Sequence, residues 1–284
     1  MRSPDNMRMS LANRGRAATI VFALVLAVTV SGCDLSTPAE PSHTTSDRME
    51  NQSFQWTASS GISVTEGLAV PIRAYLESWS VVQSSGTLDS AYPGFGSAID
   101  NHSDSEPSIF ERLLKPDAPG HAPEITTVGN RRYLISSIDQ TDGQLTALVC
   151  DYRYGLANQN PNGTFSSVAE KTNKDIGIDA YLIRLKAPDG GHSLHPLPPQ
   201  EGPASRPAVD VFAGWEVTGF LNRFLEYDSQ FHQVWPTYRQ DAQFCVDMAP
   251  DSPDRQDFLR TGEHPRTDFP TGPLVPGWPD GRSQ

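Results

Sequence analysis

The sequence predicts an α+β domain, and three observations carry the prediction. Leu68, Ile72, Tyr75, Leu76, Trp79 and Val82 recur at spacings of three and four, the period of one helix face. From Ile125 onward the apolar period drops to two, the signature of strands with two distinct faces. Helices early and strands late, in a stretch of roughly 160–190 residues, is the order of N-terminal helices packed on an antiparallel sheet in one domain.

The chain opens with a segment outside that domain. Arg2, Arg8, Arg14 and Arg16 precede Ala17–Val30, an almost uninterrupted apolar run, and small residues then lead to Cys33. A charged start, a short apolar centre and a small-residue exit are the layout of a secretory signal. The apolar run is shorter than the roughly 20 residues a helix needs to span hydrocarbon, which favours cleavage over a permanent span. Val30-Ser31-Gly32-Cys33 resembles the lipobox of bacterial lipoproteins, of the actinobacterial type: an aliphatic residue, two small residues and a cysteine. The resemblance implies that residues 1–32 are a signal peptide and that Cys33 receives a lipid. That lipid would hold the chain on the extracytoplasmic face of the cell membrane. The competing reading is an ordinary secreted protein with a cysteine near its cleavage site.

Residues 33–60 read as the lipidated cysteine and a flexible spacer, rich in Ser, Thr, Pro and charge and too poor in apolar side chains to offset ordering entropy. Phe54 and Trp56 are exceptions, placed to dock as a short first strand. Removing residues 1–32 takes 22 basic and 34 acidic residues to 18 and 33, and the net charge from −12 to −15. Such an acidic chain repels nucleic acid and anionic lipid surfaces, so neither is expected as a partner beyond the lipid anchor itself. With Cys33 claimed by lipid, Cys150 and Cys245 remain. In an oxidising compartment they read most simply as a disulfide, with two free thiols as the alternative.

Within residues 61–245 the first helix is expected to start near Gly67–Val70, with Pro71 in its first turn. A second helix is expected over Glu106–Leu114, capped by Ser105 and ended by Lys115-Pro116. Arg131–Ile138 and Leu145–Leu156 flank Asp142-Gly143, a strong hairpin signal. The second of these strands separates into Leu145, Ala147, Val149, Asp151 and Arg153 on one face and Thr146, Leu148, Cys150, Tyr152 and Tyr154 on the other. Ala157–Ser167 reads as a loop, Ile176–Lys186 as a third strand and Ala208–Thr218 as a fourth. Phe220–Trp235 reads as a closing helix or a continued strand, and residues 246–284, with seven prolines and seven acids, as a tail. The order of elements loosely resembles the NTF2-like (SnoaL-like) cone, which implies a curved sheet of about four strands wrapping N-terminal helices around a pocket.

The candidate chemistry is sparse, and no metal or cofactor signature appears. His192 and His195 sit in a Gly- and Pro-rich loop with no completing ligands. Asp151 and Arg153 share a strand face and, with Arg184 and Glu216 on neighbouring strands, could line a pocket mouth. The plainer reading is an ion pair at the solvent end of the strand. Tyr75, Trp79, Tyr152, Tyr154 and Trp215 read as core before they read as a pocket lining, and Glu226, Asp228 and His232 as surface charge. The expected role is therefore a tethered domain that binds a small apolar ligand or a partner protein. A small SnoaL-like enzyme and an accessory subunit of a membrane complex are the alternatives.

Overall fold

The computed structural model describes residues 51–100, 107–141, 144–169, 176–188 and 198–281. The leader, Cys33, Ser105, Asp142-Gly143, His192 and His195 lie outside the described residues.

The chain enters on a strand, β1 (Gln52–Ala58), in which Phe54 and Trp56 point into the core while Gln55 and Thr57 do not. Helix α1 (Ala69–Ser85) follows, with Pro71 in its first turn, where a missing N–H costs nothing. It stops at Gly86, whose left-handed backbone (φ 74°) returns its N–H to Val82 O at 2.7 Å. A side chain there would collide with the backbone oxygen of His121. A short α2 (Phe95–Ile99) packs nearby, with the Phe95 ring stacked on Tyr75.

The sheet has seven strands rather than four, and a strand rather than a helix comes first. β2 (Thr127–Thr141) and β3 (Gln144–Tyr152) form the expected hairpin, with Thr141 opposite Gln144. The single long strand expected over Leu145–Leu156 breaks after Tyr152. β4 (Leu156–Gln159) resumes on the same edge of β2, one register position displaced. β4 turns back into β5 (Phe165–Ser167), so the stretch read as a loop is a small hairpin. β6 (Ile178–Lys186) lies against β3 and β7 (Glu216–Leu221) against β6, all antiparallel. β1 joins the opposite edge of β2 in parallel, with Gln52 opposite Gly129 and Ala58 opposite Ile135. The sheet is open. β7 begins later than expected because Ala213 (φ 53°) and Gly214 (φ 80°) adopt left-handed backbone, which no strand accommodates.

The second helix expected over Glu106–Leu114 is absent from 107–114, which forms turns. Three of its carbonyls are taken by tertiary partners. Phe110 O accepts from Phe220 N, Leu113 O from Trp79 Nε1 and Leu114 O from Tyr75 OH. After β7 come α3 (Phe231–Val234), α4 (Tyr238–Asp247) and α5 (Pro253–Leu259), capped by the Ser252 hydroxyl.

Both sheet faces are covered, and the alternation along β3 sorts the core into two. Leu145, Ala147 and Val149 pack with α1, Tyr181, Ile183 and Phe220. Cys150 and Tyr152 pack on the other face with Phe231, Trp235, Tyr238 and Cys245. Cys150 and Cys245 are bonded there (S–S 2.00 Å), tying α4 to β3. The proline-rich stretch after Cys245 is part of the fold. Val275 pairs with β1, and Trp278 is wholly buried against α1.

Candidate functional site

Asp151 and Arg153 do come together, but inside the protein. Asp151 stands opposite Asp179 in the β3–β6 register, and both carboxylates are buried. Arg131 holds Asp151 with two parallel contacts of 2.8 Å, Nε to Oδ1 and Nη2 to Oδ2, the planar fork that matches a carboxylate. The Tyr181 hydroxyl donates to the same Oδ2 at 2.6 Å, and Arg131 Nη1 reaches Ser80 Oγ on α1 at 2.8 Å. Arg153 links the two acids, at 3.2 Å from Asp151 and 2.5 Å from Asp179, and Arg223 closes the chain on Asp179 at 2.8 Å. Three arginines and two aspartates thus alternate from the core toward the surface. Every carboxylate oxygen meets a cation, so the assembly fixes β2, β3 and β6 to one another and exposes no free acid.

Arg184 and Glu216 are not part of this cluster. Arg184 stands opposite Thr146, on the other face of the sheet from Asp151. Its guanidinium lies 3.5 Å over the Phe110 ring, and burial lowers its pKa. Glu216 pairs with Lys186 at 3.7 Å on the surface. The expected pocket mouth of four residues does not form.

A second buried cluster escaped the sequence reading. Arg73 and Glu77, one turn apart on α1, are both fully buried. Glu77 Oε1 accepts from Trp56 Nε1 at 2.7 Å, and Oε2 from Tyr92 OH at 2.8 Å and Trp278 Nε1 at 2.7 Å. Burial raises the Glu77 pKa, against the opposing pull of Arg73 and the three donors. Arg73 donates to the backbone oxygens of Val64, Gln200 and Pro276, and lies 4.3 Å over the Trp278 ring. One signal was available. These are the only charges in a 17-residue helix with almost no polar face, so they had to be paired inside.

An open groove of two lobes lies where β1 and β2 begin. One lobe, of ≈ 810 Å³, lies between Gln83 and Ser84 at the end of α1, Asn51 and Gln52 at the start of β1, and residues 123–128. The other, of ≈ 830 Å³, lies between residues 124–126 and the β4–β5 hairpin. They share Glu124, Ile125, Thr126, Asn158 and Gln159. Six carboxamides line them: Asn51, Gln52, Gln83, Asn158, Gln159 and Asn160. Four hydroxyls join these from Ser84, Thr126, Thr127 and Ser166, against one acid, Glu124, and one base, Arg266, while the Ser167 hydroxyl is buried on Tyr154 O. None of the residues of the two buried charge clusters lines either lobe. Among the described residues no group of three or more His, Cys, Asp or Glu is placed to hold a metal ion.

Fold and groove together define a disulfide-tied α+β domain with a seven-stranded open sheet covered on both faces and a neutral polar groove at one end. No protein-family model matches the chain, and no curated protein or solved structure matches it.

Proposed function

We propose that this chain is a lipid-anchored binding module on the extracytoplasmic face of the cell membrane, with its ligand held in the groove at the root of the tether. The anchor rests on the likeness of Val30-Ser31-Gly32-Cys33 to a lipobox. Among the described residues no helix is long and apolar enough to cross a membrane. The binding reading is carried by one observation: neutral hydrogen-bonding side chains from five separate segments converge on the same concave surface. That lining selects a polar ligand over the small apolar one the sequence suggested. The space an apolar ligand would need, between α1 and the sheet, is filled by Tyr75, Phe95, Phe212, Phe220 and Trp278. An NTF2-like cone enters this proposal only in reduced form, as a sheet wrapping α1 with the pocket filled by side chains. An enzyme of the SnoaL type would need an acid open to substrate, whereas Asp151 and Asp179 are each held by two arginines. The accessory-subunit reading draws on Phe224 and Tyr227, 58% and 81% exposed on the loop after β7.

Two measurements test the proposal. Growth with an alkyne fatty acid labels the wild-type chain and not Cys33→Ala, which also leaves the membrane fraction; a labelled Cys33→Ala chain refutes the anchor. Native mass spectrometry of the full chain purified from its host shows a bound polar molecule that the double variant Gln83→Ala/Asn158→Ala loses. An adduct equally retained by that variant places the ligand elsewhere.

A further inference from the structure

We infer that the groove takes a neutral polyhydroxylated glycan, either free or as the head group of a glycolipid in the membrane that anchors the chain. The inference rests on the reading of the groove as the ligand site.

Charge narrows the ligand first. The chain carries a formal net charge of −12, yet the two lobes hold one acid and one base. The base, Arg266, is turned back onto the protein, with Nη1 on Phe269 O and Nη2 on Thr271 Oγ1 at 2.6 Å. An anionic ligand would meet no uncommitted cation, and a cationic one only Glu124. Neutral ligands are what remain.

Hydrogen-bonding capacity narrows it further. A carboxamide sets a donor beside an acceptor, and so does a pair of vicinal sugar hydroxyls. Gln52, Gln83, Ser84 and Gln159 make no side-chain hydrogen bond to any described residue, so their donors and acceptors face water until a ligand replaces it. Two further carboxamides are fixed in complementary senses. Thr127 Oγ1 donates to Asn158 Oδ1 at 2.8 Å, which leaves the Asn158 amide hydrogens for a ligand. Asn160 Nδ2 donates to Thr164 Oγ1 and Ser166 Oγ, both at 3.0 Å, which leaves its Oδ1 as an acceptor. Donor and acceptor positions are thus set in advance on neighbouring residues of one strand end, which lowers the entropy of capture. Pro123, Ile125 and Pro161 lie between the polar groups and suit the C–H faces of a sugar ring.

Position supplies the source. The chain enters the domain at Asn51, which lines the groove. Seventeen residues lie between it and Cys33, a reach of at most ~60 Å. A ligand at or near the membrane surface is within range.

The test uses the full-length lipoprotein in detergent micelles, titrated calorimetrically with chitotetraose, and the same protein in phosphatidylcholine vesicles with and without diglucosyl diacylglycerol. Hydrogen–deuterium exchange follows residues 123–128 and 156–161 in each case. The expected result is protection of both segments, with affinity for chitotetraose unchanged between about 0.05 M and 0.5 M NaCl because no ion pair is made. Gln83→Ala, at an exposed position, weakens binding roughly fivefold to tenfold without lowering Tm, and Asn158→Ala, which also gives up the bond from Thr127 Oγ1, weakens it by a similar factor with only a small fall in Tm. Protection by chitotetraose assigns a free glycan; protection only by the glycolipid vesicles assigns a head group. If neither protects the groove while tetra-alanine or inorganic phosphate does, the groove is a site and the glycan class is wrong. If none of these probes protects it, the groove reading falls as well.

Discussion

Replacing Glu77 by Gln keeps the shape of the side chain, removes its charge and leaves it one acceptor side instead of two. The carboxylate now accepts from Trp56 on one oxygen and from Tyr92 and Trp278 on the other. A carboxamide cannot serve both sides. With its oxygen toward Tyr92 and Trp278, its NH2 faces the Trp56 N–H; reversed, it faces the Trp278 N–H. One buried indole N–H is stranded either way, at a cost of about 1–3 kcal/mol. Arg73, whose Nε lies 3.8 Å away, also loses its counter-charge, and breaking a buried pair from one side costs about 3–5 kcal/mol. Part of this is returned because the variant no longer buries a carboxylate whose pKa burial had raised. The balance is a loss of about 3 kcal/mol, or a fall in Tm of about 6–12 °C for a domain of this size. Urea denaturation of the full-length protein followed by circular dichroism reads it directly. Trp278→Phe supplies the cross-check, because it removes one of the same hydrogen bonds while keeping an aromatic ring beside Arg73. The two changes should couple by about 1 kcal/mol or more in a double-mutant cycle. A Glu77→Gln protein within about 0.5 kcal/mol of wild type, or strictly additive variants, would refute the claim that this carboxylate locks the C-terminal segment to α1.

Other outcomes follow from the same geometry. The Cys150–Cys245 bond closes a loop of 95 residues, so Cys150→Ala/Cys245→Ala should lower stability by about 4–5 kcal/mol on the chain-entropy argument, read as a lower urea midpoint. Asp151→Asn strands Arg131 in the core and should cost about 3–5 kcal/mol, whereas Glu216→Ala breaks only a surface pair and should cost less than about 1 kcal/mol; equal effects would contradict the placement of the two acids. Burial raises the Glu77 pKa above its ordinary 4.5, so above that pH the folded chain holds a proton the unfolded chain has released. The stability of wild type relative to Glu77→Gln should therefore fall as pH rises from 4.5 through the raised pKa; a rise in Tm difference over that window reverses the sign and the argument.

The sequence disclosed those parts of the fold that local chemistry determines. Pro71 and the three-four spacing located α1, the two-residue period located β2, β3 and β6, and the cysteine count pointed to the Cys150–Cys245 bond. What it hid depends on distant partners. Phe54 and Trp56 stood out as apolar residues in a polar stretch, but nothing near them specifies a parallel partner more than seventy residues on. The 107–114 segment carries helix signals, yet the carbonyls of Phe110, Leu113 and Leu114 find Phe220, Trp79 and Tyr75 instead of N–H groups a helical turn away. Trp278 looks like one aromatic in a proline-rich tail until Glu77 and Arg73 are seen to need it. The groove was least legible of all. Its residues are ordinary Asn, Gln, Ser and Thr with no spacing motif, and they gain meaning only when β1, α1, β2 and the β4–β5 hairpin bring them to one surface.

One wall of the groove is the start of β1, so its shape depends on how that strand is held. β1 is bonded on both edges. Its seven residues pair in parallel with β2 on one side, and on the other Trp56 and Phe54 exchange backbone hydrogen bonds with Val275. The Thr271 hydroxyl donates to Asn51 O at 2.7 Å and Gly272 N to Asn130 Oδ1 at 2.8 Å, so the C-terminal segment clamps the entrance itself. That segment is held in turn by Trp278 in the Glu77–Arg73 cluster. The same segment covers a strand edge that would otherwise be open to pairing with another chain. The buried charges and the groove are linked in this way. The charges hold the C-terminal segment, that segment holds β1, and β1 with Asn51 and Gln52 forms one wall of the groove.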